Sequence, residues 1–108
     1  MTIIEVDDYN FEEEVLDCTG IVVAKFYGSW CGPCKMLASI LDEMPDYDNL
    51  KLVELDVDKC MTLTKQYGVM SVPTLLVFKD GAQVDKIVGF RNRNQLTEIF
   101  EKYLSSGK

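Results

Sequence analysis

Two cysteines separated by Gly-Pro stand out as residues able to do chemistry. They sit in Trp30-Cys31-Gly32-Pro33-Cys34-Lys35. A strand-like apolar run, residues 21–27, leads into this stretch, and a helix-like run, residues 36–44, leads out. Leu37, Ile40, Leu41 and Met44 in the second run have the spacing of one buried helix face. The spacing predicts Cys31 near a helix N-cap and Cys34 one turn inside. Unpaired N–H groups and the positive end of the helix macrodipole favour an anion there. A thiol so placed ionises more easily, and the thiolate is the nucleophile of disulfide exchange. Two intervening residues on a first turn also allow the sulfurs to bond without rebuilding the backbone. Pro33 so near the helix start costs little in lost hydrogen bonds. By itself, Cys-x-x-Cys also occurs in zinc sites and haem attachment, and a permanent disulfide is a further alternative.

The elements that must position this pair follow in order. Residues 2–6 read as a first strand. Asp7, Asp8 and Asn10 cap a helix to about Cys18, with Phe11, Val15 and Cys18 on one face. After the central strand and the active-site helix come an alternating strand over residues 51–57 and a short helix over 59–67, capped by Asp58 and stopped by Gly68. Residues 74–78 form a fourth strand, Asp80-Gly81 a hairpin turn, and residues 83–88 a fifth strand. Asn92 and Gln95 make a capping box for a last helix with Leu96, Ile99, Phe100, Tyr103 and Leu104 on one face. This order predicts an α/β fold with helices on both faces of a mixed sheet, as one domain over residues 1–108.

Composition bounds the function. The chain has 108 residues, 47% hydrophobic, with 18 acidic against 11 basic residues and a net charge of −7. That balance argues against nucleic-acid binding, which needs a basic footprint. No apolar run approaches the ~18 residues of a membrane span, and the N-terminus does not read as a signal peptide. With four cysteines, the expected compartment is the reducing cytoplasm. There is no histidine, so Cys–His and Ser–His nucleophile pairs and mixed Cys/His zinc sites are excluded.

Trp-Cys-Gly-Pro-Cys-Lys after an apolar strand, joined to Ser71-Val72-Pro73-Thr74-Leu75-Leu76-Val77-Phe78-Lys79-Asp80-Gly81, resembles the thioredoxin family over nearly the whole chain. The resemblance implies the thioredoxin fold, a central mixed five-stranded sheet flanked by four helices. It implies a protein-disulfide reductase with Cys31 as nucleophile, Cys34 as resolving thiol and no bound cofactor beyond the reversible Cys31–Cys34 disulfide. Recharging would come from a thioredoxin reductase, a flavoprotein linked to NADPH or ferredoxin. Disulfide-containing proteins would be the substrates, with no nucleic-acid or membrane partner and the chain a monomer. Trp30, Gly32, Pro33, Val72, Pro73 and Gly89 match the family's docking surface, with Pro73 cis against the cysteines and the Val72 backbone free to pair with an extended substrate.

Departures from the family pattern are informative. Lys25 stands where the family has a buried aspartate that exchanges protons with the resolving cysteine, and Glu54 stands where it has a nearby lysine. The pair has exchanged ends, which points to Glu54 as proton carrier and Lys25 as its holder; the alternative is that Lys25 snorkels to water. Ser39 replaces a helix-kinking proline, which predicts a straighter helix. Phe90 after Gly89 is larger than usual and bears on the docking groove. Cys18 and Cys60 read as packing residues, Cys60 being the better candidate for oxidation.

Other readings remain open. An oxidase or isomerase would share the fold and differ in reduction potential. A four-thiolate metal module would use Cys18, Cys31, Cys34 and Cys60. A non-catalytic interaction subunit would use the docking surface alone.

Overall fold

A computed structural model describes residues 1–105. Five strands form one sheet: β1 (Ile3–Glu5), β2 (Ile21–Tyr27), β3 (Leu50–Asp56), β4 (Thr74–Lys79) and β5 (Ala82–Val88). Their spatial order is β1-β3-β2-β4-β5. β1 and β2 run parallel to β3, while β4 is antiparallel to both β2 and β5. The helical segments are α1 (Glu12–Leu16), α2 (Gly32–Glu43), α3 (Met61–Gln66) and α4 (Arg93–Ser105). This is the mixed five-stranded sheet with four helices that the sequence predicts.

β2 lies in the middle of the sheet, and its six residues from Ile21 to Phe26 are all buried. That requires both faces to be covered. Val22, Ala24 and Phe26 face a core completed by Phe11, Val15 and Leu63 from the α1 and α3 side. Ile21 and Val23 face a core completed by Leu37, Leu41, Leu96 and Phe100 from α2 and α4. Alternation therefore points Lys25 toward α2. Burial of the apolar residues in these two layers is the main force holding the sheet between its helices.

The Asp80-Gly81 turn has positive φ at both residues, 49° and 84°, which matches the twist of the β4–β5 hairpin. Asp80 also ties the turn to the start of β2: its N–H donates to the Gly20 carbonyl (2.9 Å) and its carboxylate accepts from the Gly20 N–H (2.8 Å). The capping box of α4 is present, with Asn92 and Gln95 exchanging two 2.9 Å bonds.

Two expectations for the helices need correction. The first helix does not run regularly to Cys18. It is a five-residue π-type segment in which the Asp17 N–H reaches back to the Glu12 carbonyl (2.8 Å). The Glu14 carbonyl is taken instead by the Lys51 ammonium (2.9 Å) and the Cys18 thiol (3.1 Å). Asp58 does not cap α3 either. Cys60 occupies that N-cap, without a side-chain bond. α2, in contrast, runs unbroken through Ser39.

Candidate active site

Cys31 is the N-cap of α2, with extended backbone (φ −92°, ψ 113°), and Pro33 falls in the first turn. Cys34 lies one turn on, and the two form a disulfide across a Cα separation of 5.2 Å. Their burial is nearly complete. The Cys34 N–H donates to Cys31 Sγ at 3.2 Å, so one orphan donor of the helix start already points at that sulfur. Once the pair is reduced, the same N–H and the helix dipole favour the Cys31 thiolate.

The chain entering β4 closes the other side. Cys31 Sγ lies 3.7 Å from the Val72 carbonyl oxygen. The Val72–Pro73 peptide is cis, the isomer implied by the family resemblance, and Pro73 is buried. Gly89 joins this cluster through its N–H, which donates to the Pro73 carbonyl at 2.8 Å. Its φ of +96° is a conformation that side chains disfavour. Phe90 is partly buried and packs against the core that includes Leu37, Leu96 and Phe100.

Gly32 and Pro33 are exposed beside the disulfide, and Trp30 is 66% exposed. The indole folds back over Gly28, where an added Cβ would come within 2.7 Å of the ring. Its Nε1–H donates to the Asp58 carboxylate at 3.0 Å. Asp58 and Gly28 therefore shape the site, and sequence reasoning missed both roles. An acidic residue after β3 reads locally as a helix cap, and nothing local links it to a tryptophan 28 positions earlier.

Lys25 is 2% exposed, with its ammonium 3.2 Å from Glu54 Oε1 and 5.4 Å from the centre of the Tyr27 ring. The snorkelling alternative is thus overturned: the cation is buried and paired. Register explains the pairing, because Lys25 is directly opposite Glu54 and Glu54 directly opposite Glu5. Tyr27 completes the row by donating its hydroxyl to Glu5 at 3.2 Å. Burial, with the charges of Glu5 and Glu54 adding, pushes that hydroxyl well above the usual tyrosine range, so it stays protonated.

A cavity of about 200 Å³ connects this row to the disulfide, lined by Lys25, Tyr27, Cys34, Lys35, Ala38 and Glu54. A larger, more open groove shares Lys35, Ala38 and Glu54 and adds Glu5, Ser39 and Asp42. Glu54 thus borders both the space beside Cys34 and the outside.

The remaining cysteines stand apart. Cys60 is 1% exposed, and its thiol donates to the Val6 carbonyl at 3.5 Å. Burial, reinforced by Asp8, Asp7, Asp56 and Glu5, pushes it up to about 11. Cys18 is half-buried, with the Lys51 ammonium 3.6 Å from its sulfur. The expected ranking is reversed, since Cys60 is the better shielded thiol. Among the described residues, no group of three or more His, Cys, Asp or Glu is placed to hold a metal ion. No helix among them is long and apolar enough to cross a membrane.

Comparison with known proteins agrees with this geometry. The thioredoxin family model matches residues 2–102. Thioredoxins of Staphylococcus saprophyticus and Staphylococcus haemolyticus are each 44% identical over 106 residues, covering 96% of this chain and 100% of the relative. The Staphylococcus aureus thioredoxin is 43% identical over the same span. With a Cys-Gly-Pro-Cys disulfide at a helix start facing a cis proline, the chain belongs to the thioredoxin family of thiol–disulfide oxidoreductases, as a protein-disulfide reductase.

Proposed function

We propose that Cys31 attacks disulfides of other proteins, that Cys34 resolves the mixed disulfide, and that Glu54 carries the proton of Cys34. The observation that carries this reading is the Cys34 N–H on Cys31 Sγ at the start of α2, opposite the Val72 carbonyl. The Cys31 thiolate displaces one target sulfur, which leaves as a thiolate and takes a proton from solvent. Cys34 then gives its proton to the Glu54 carboxylate across the shared cavity. Its sulfur attacks Cys31, and the second target thiolate leaves and is protonated. The target has gained two electrons and two protons, and Cys31–Cys34 is oxidised.

Lys25 acts as a positioning residue in this scheme, holding Glu54 beside the cavity. Val72 offers its backbone to an extended target segment beside Pro73 and Gly89, while Trp30, Gly32 and Pro33 form the apolar rim. Electrons return from a thioredoxin reductase, a flavoprotein fed by NADPH or ferredoxin. The chain works as a monomer in the reducing cytoplasm, where a dithiol of this kind stays catalytic.

Trapping tests the order of attack. Cys34→Ser should accumulate a mixed disulfide between Cys31 and an oxidised protein target such as insulin, and Cys31→Ser should not. Accumulation through Cys34 in Cys31→Ser, with none in Cys34→Ser, would reverse the two roles.

A further inference from the structure

A thiol and an amine outside the redox site meet at the far end of the sheet. Lys51 lies near the start of β3, opposite Val22 at the start of β2, whereas Cys31 follows the other end of β2. The Lys51 ammonium reaches across to α1 and stands 3.6 Å from Cys18 Sγ. The same nitrogen is 2.9 Å from the Glu14 carbonyl and 2.5 Å from the Glu14 carboxylate. Cys18 is held from its own side, since its thiol donates to that carbonyl at 3.1 Å. The Cys18 N–H turns instead to the Val15 carbonyl (3.4 Å), which leaves the Glu14 carbonyl to gather both groups.

This cluster is open to small solutes. Cys18 is half-buried, and the Lys51 and Glu14 side chains are 28% and 29% exposed. A thiol within reach of a hydroperoxide is oxidised to a sulfenic acid, which condenses with a thiol or with a nearby nitrogen. Cys60, the other cysteine outside the redox pair, is sealed in the core, so no thiol partner is at hand. The nitrogen at hand is Lys51 Nζ, on a flexible four-carbon stem that can close the remaining distance.

We propose that Cys18 and Lys51 form a reversible sulfur–nitrogen cross-link when a hydroperoxide oxidises Cys18. The peroxide gives one oxygen to the thiol and leaves as water or an alcohol, so the sulfur loses two electrons. The Lys51 ammonium passes a proton to the Glu14 carboxylate, which later releases it to solvent. The freed nitrogen lone pair attacks the sulfenic sulfur and the S–O bond breaks. The hydroxyl departs as water with a second proton from the nitrogen. A dithiol reverses the bond: its two electrons return the Cys18 thiol and the Lys51 amine, and it becomes a disulfide. The bridge joins positions 33 apart, pins α1 to β3 and keeps Cys18 from further oxidation to sulfinic acid.

The test treats the full chain, with Cys31–Cys34 already oxidised, with hydrogen peroxide. Remaining thiols are alkylated, and the protein is digested with trypsin without reductant and weighed. Peptides 1–25 and 36–59 should appear joined, about 2 Da lighter than their sum, with no cleavage at Lys51. Dithiothreitol should separate them. Lys51→Arg keeps the charge and the donors but removes the nucleophilic amine, so its Cys18 should instead pass to sulfinic acid. Cys18 of the parent recovered as free thiol, as sulfinic acid or as a disulfide between two copies would overturn the bridge. So would a link that retains the peroxide oxygen, or one that persists in Lys51→Arg.

Discussion

Cys31 and Cys60 occupy the same kind of position, since each is a buried N-cap of a helix. Their surroundings differ in three ways. The Cys31 sulfur turns inward to accept the Cys34 N–H, whereas the Cys60 thiol turns away and donates to the Val6 carbonyl. α2 is twelve residues long, while α3 has six, so only the former adds a substantial dipole. Four carboxylates, Asp7, Asp8, Asp56 and Glu5, oppose charge on Cys60. A helix start does not by itself make a thiol reactive; the direction of the sulfur and the charges it faces decide.

The largest expected contrast is catalytic. Cys31→Ser should lower protein-disulfide reduction by several orders of magnitude, to background. Cys60→Ala should stay within about twofold of the parent in the same reductase-coupled assay, because its thiol takes no part in exchange. An equal loss in both would erase the distinction drawn here.

Glu54→Gln should come next. Losing a positioned proton acceptor should lower turnover about 10- to 100-fold and alter the pH profile of the resolving step. It also leaves the Lys25 ammonium buried without its counter-charge. That should destabilise the fold on the order of 2 kcal/mol, below a fully buried pair because Glu54 retains some solvent. Full turnover with an unchanged pH profile would remove Glu54 from the mechanism and leave it a structural partner of Lys25.

The third contrast appears in stability against pH. The Cys60 thiol is raised from 9.0 to about 11 on folding, so the folded chain keeps a proton that the unfolded chain loses. This contribution is fully present below about pH 9 and lost as pH rises through about 11, on the order of 2 kcal/mol. Denaturant titrations of the parent and Cys60→Ala should diverge in that window. Parallel curves would show that the environment of Cys60 does not disfavour its thiolate.

The smallest effect concerns the aromatic rim. Asp58→Ala frees the single tryptophan, Trp30, from its 3.0 Å tether. Its fluorescence should change, and KM for protein targets should rise roughly two- to tenfold, the worth of one hydrogen bond. Unchanged fluorescence would mean that packing over Gly28 alone fixes the indole.

Much of this was legible in the chain. The apolar run of β2 and the Leu37, Leu41, Met44 spacing of α2 bracket Cys31 and Cys34, because continuous burial and helical periodicity are local signals. Lys25 and Glu54 stand out as a charge exchange against the family pattern, and sheet register sets them face to face. What stayed hidden depends on tertiary contact. The π-type winding of α1 accompanies hydrogen bonding of its freed Glu14 carbonyl to Lys51, 37 positions away. Asp58 is a tether and not a cap because Trp30 comes within reach, and Cys60 is unreactive because tertiary packing buries its thiol, with Asp8, Asp7, Asp56 and Glu5 adding to the effect.

The central claim is that Cys31–Cys34 is a reducing dithiol, and its reduction potential tests that most directly. The protein is equilibrated against defined thiol–disulfide buffers and the oxidised fraction of Cys31–Cys34 is read by alkylation and mass. We predict a value near about −270 mV, the level characteristic of thioredoxin itself rather than one derived from this geometry. That result would mean the Lys25–Glu54 exchange preserves the family's reducing poise. A value between about −120 and −180 mV, typical of oxidants and isomerases, would contradict the reductase account. The buried Lys25 cation, over-stabilising a reduced thiolate, would then be the first group to replace.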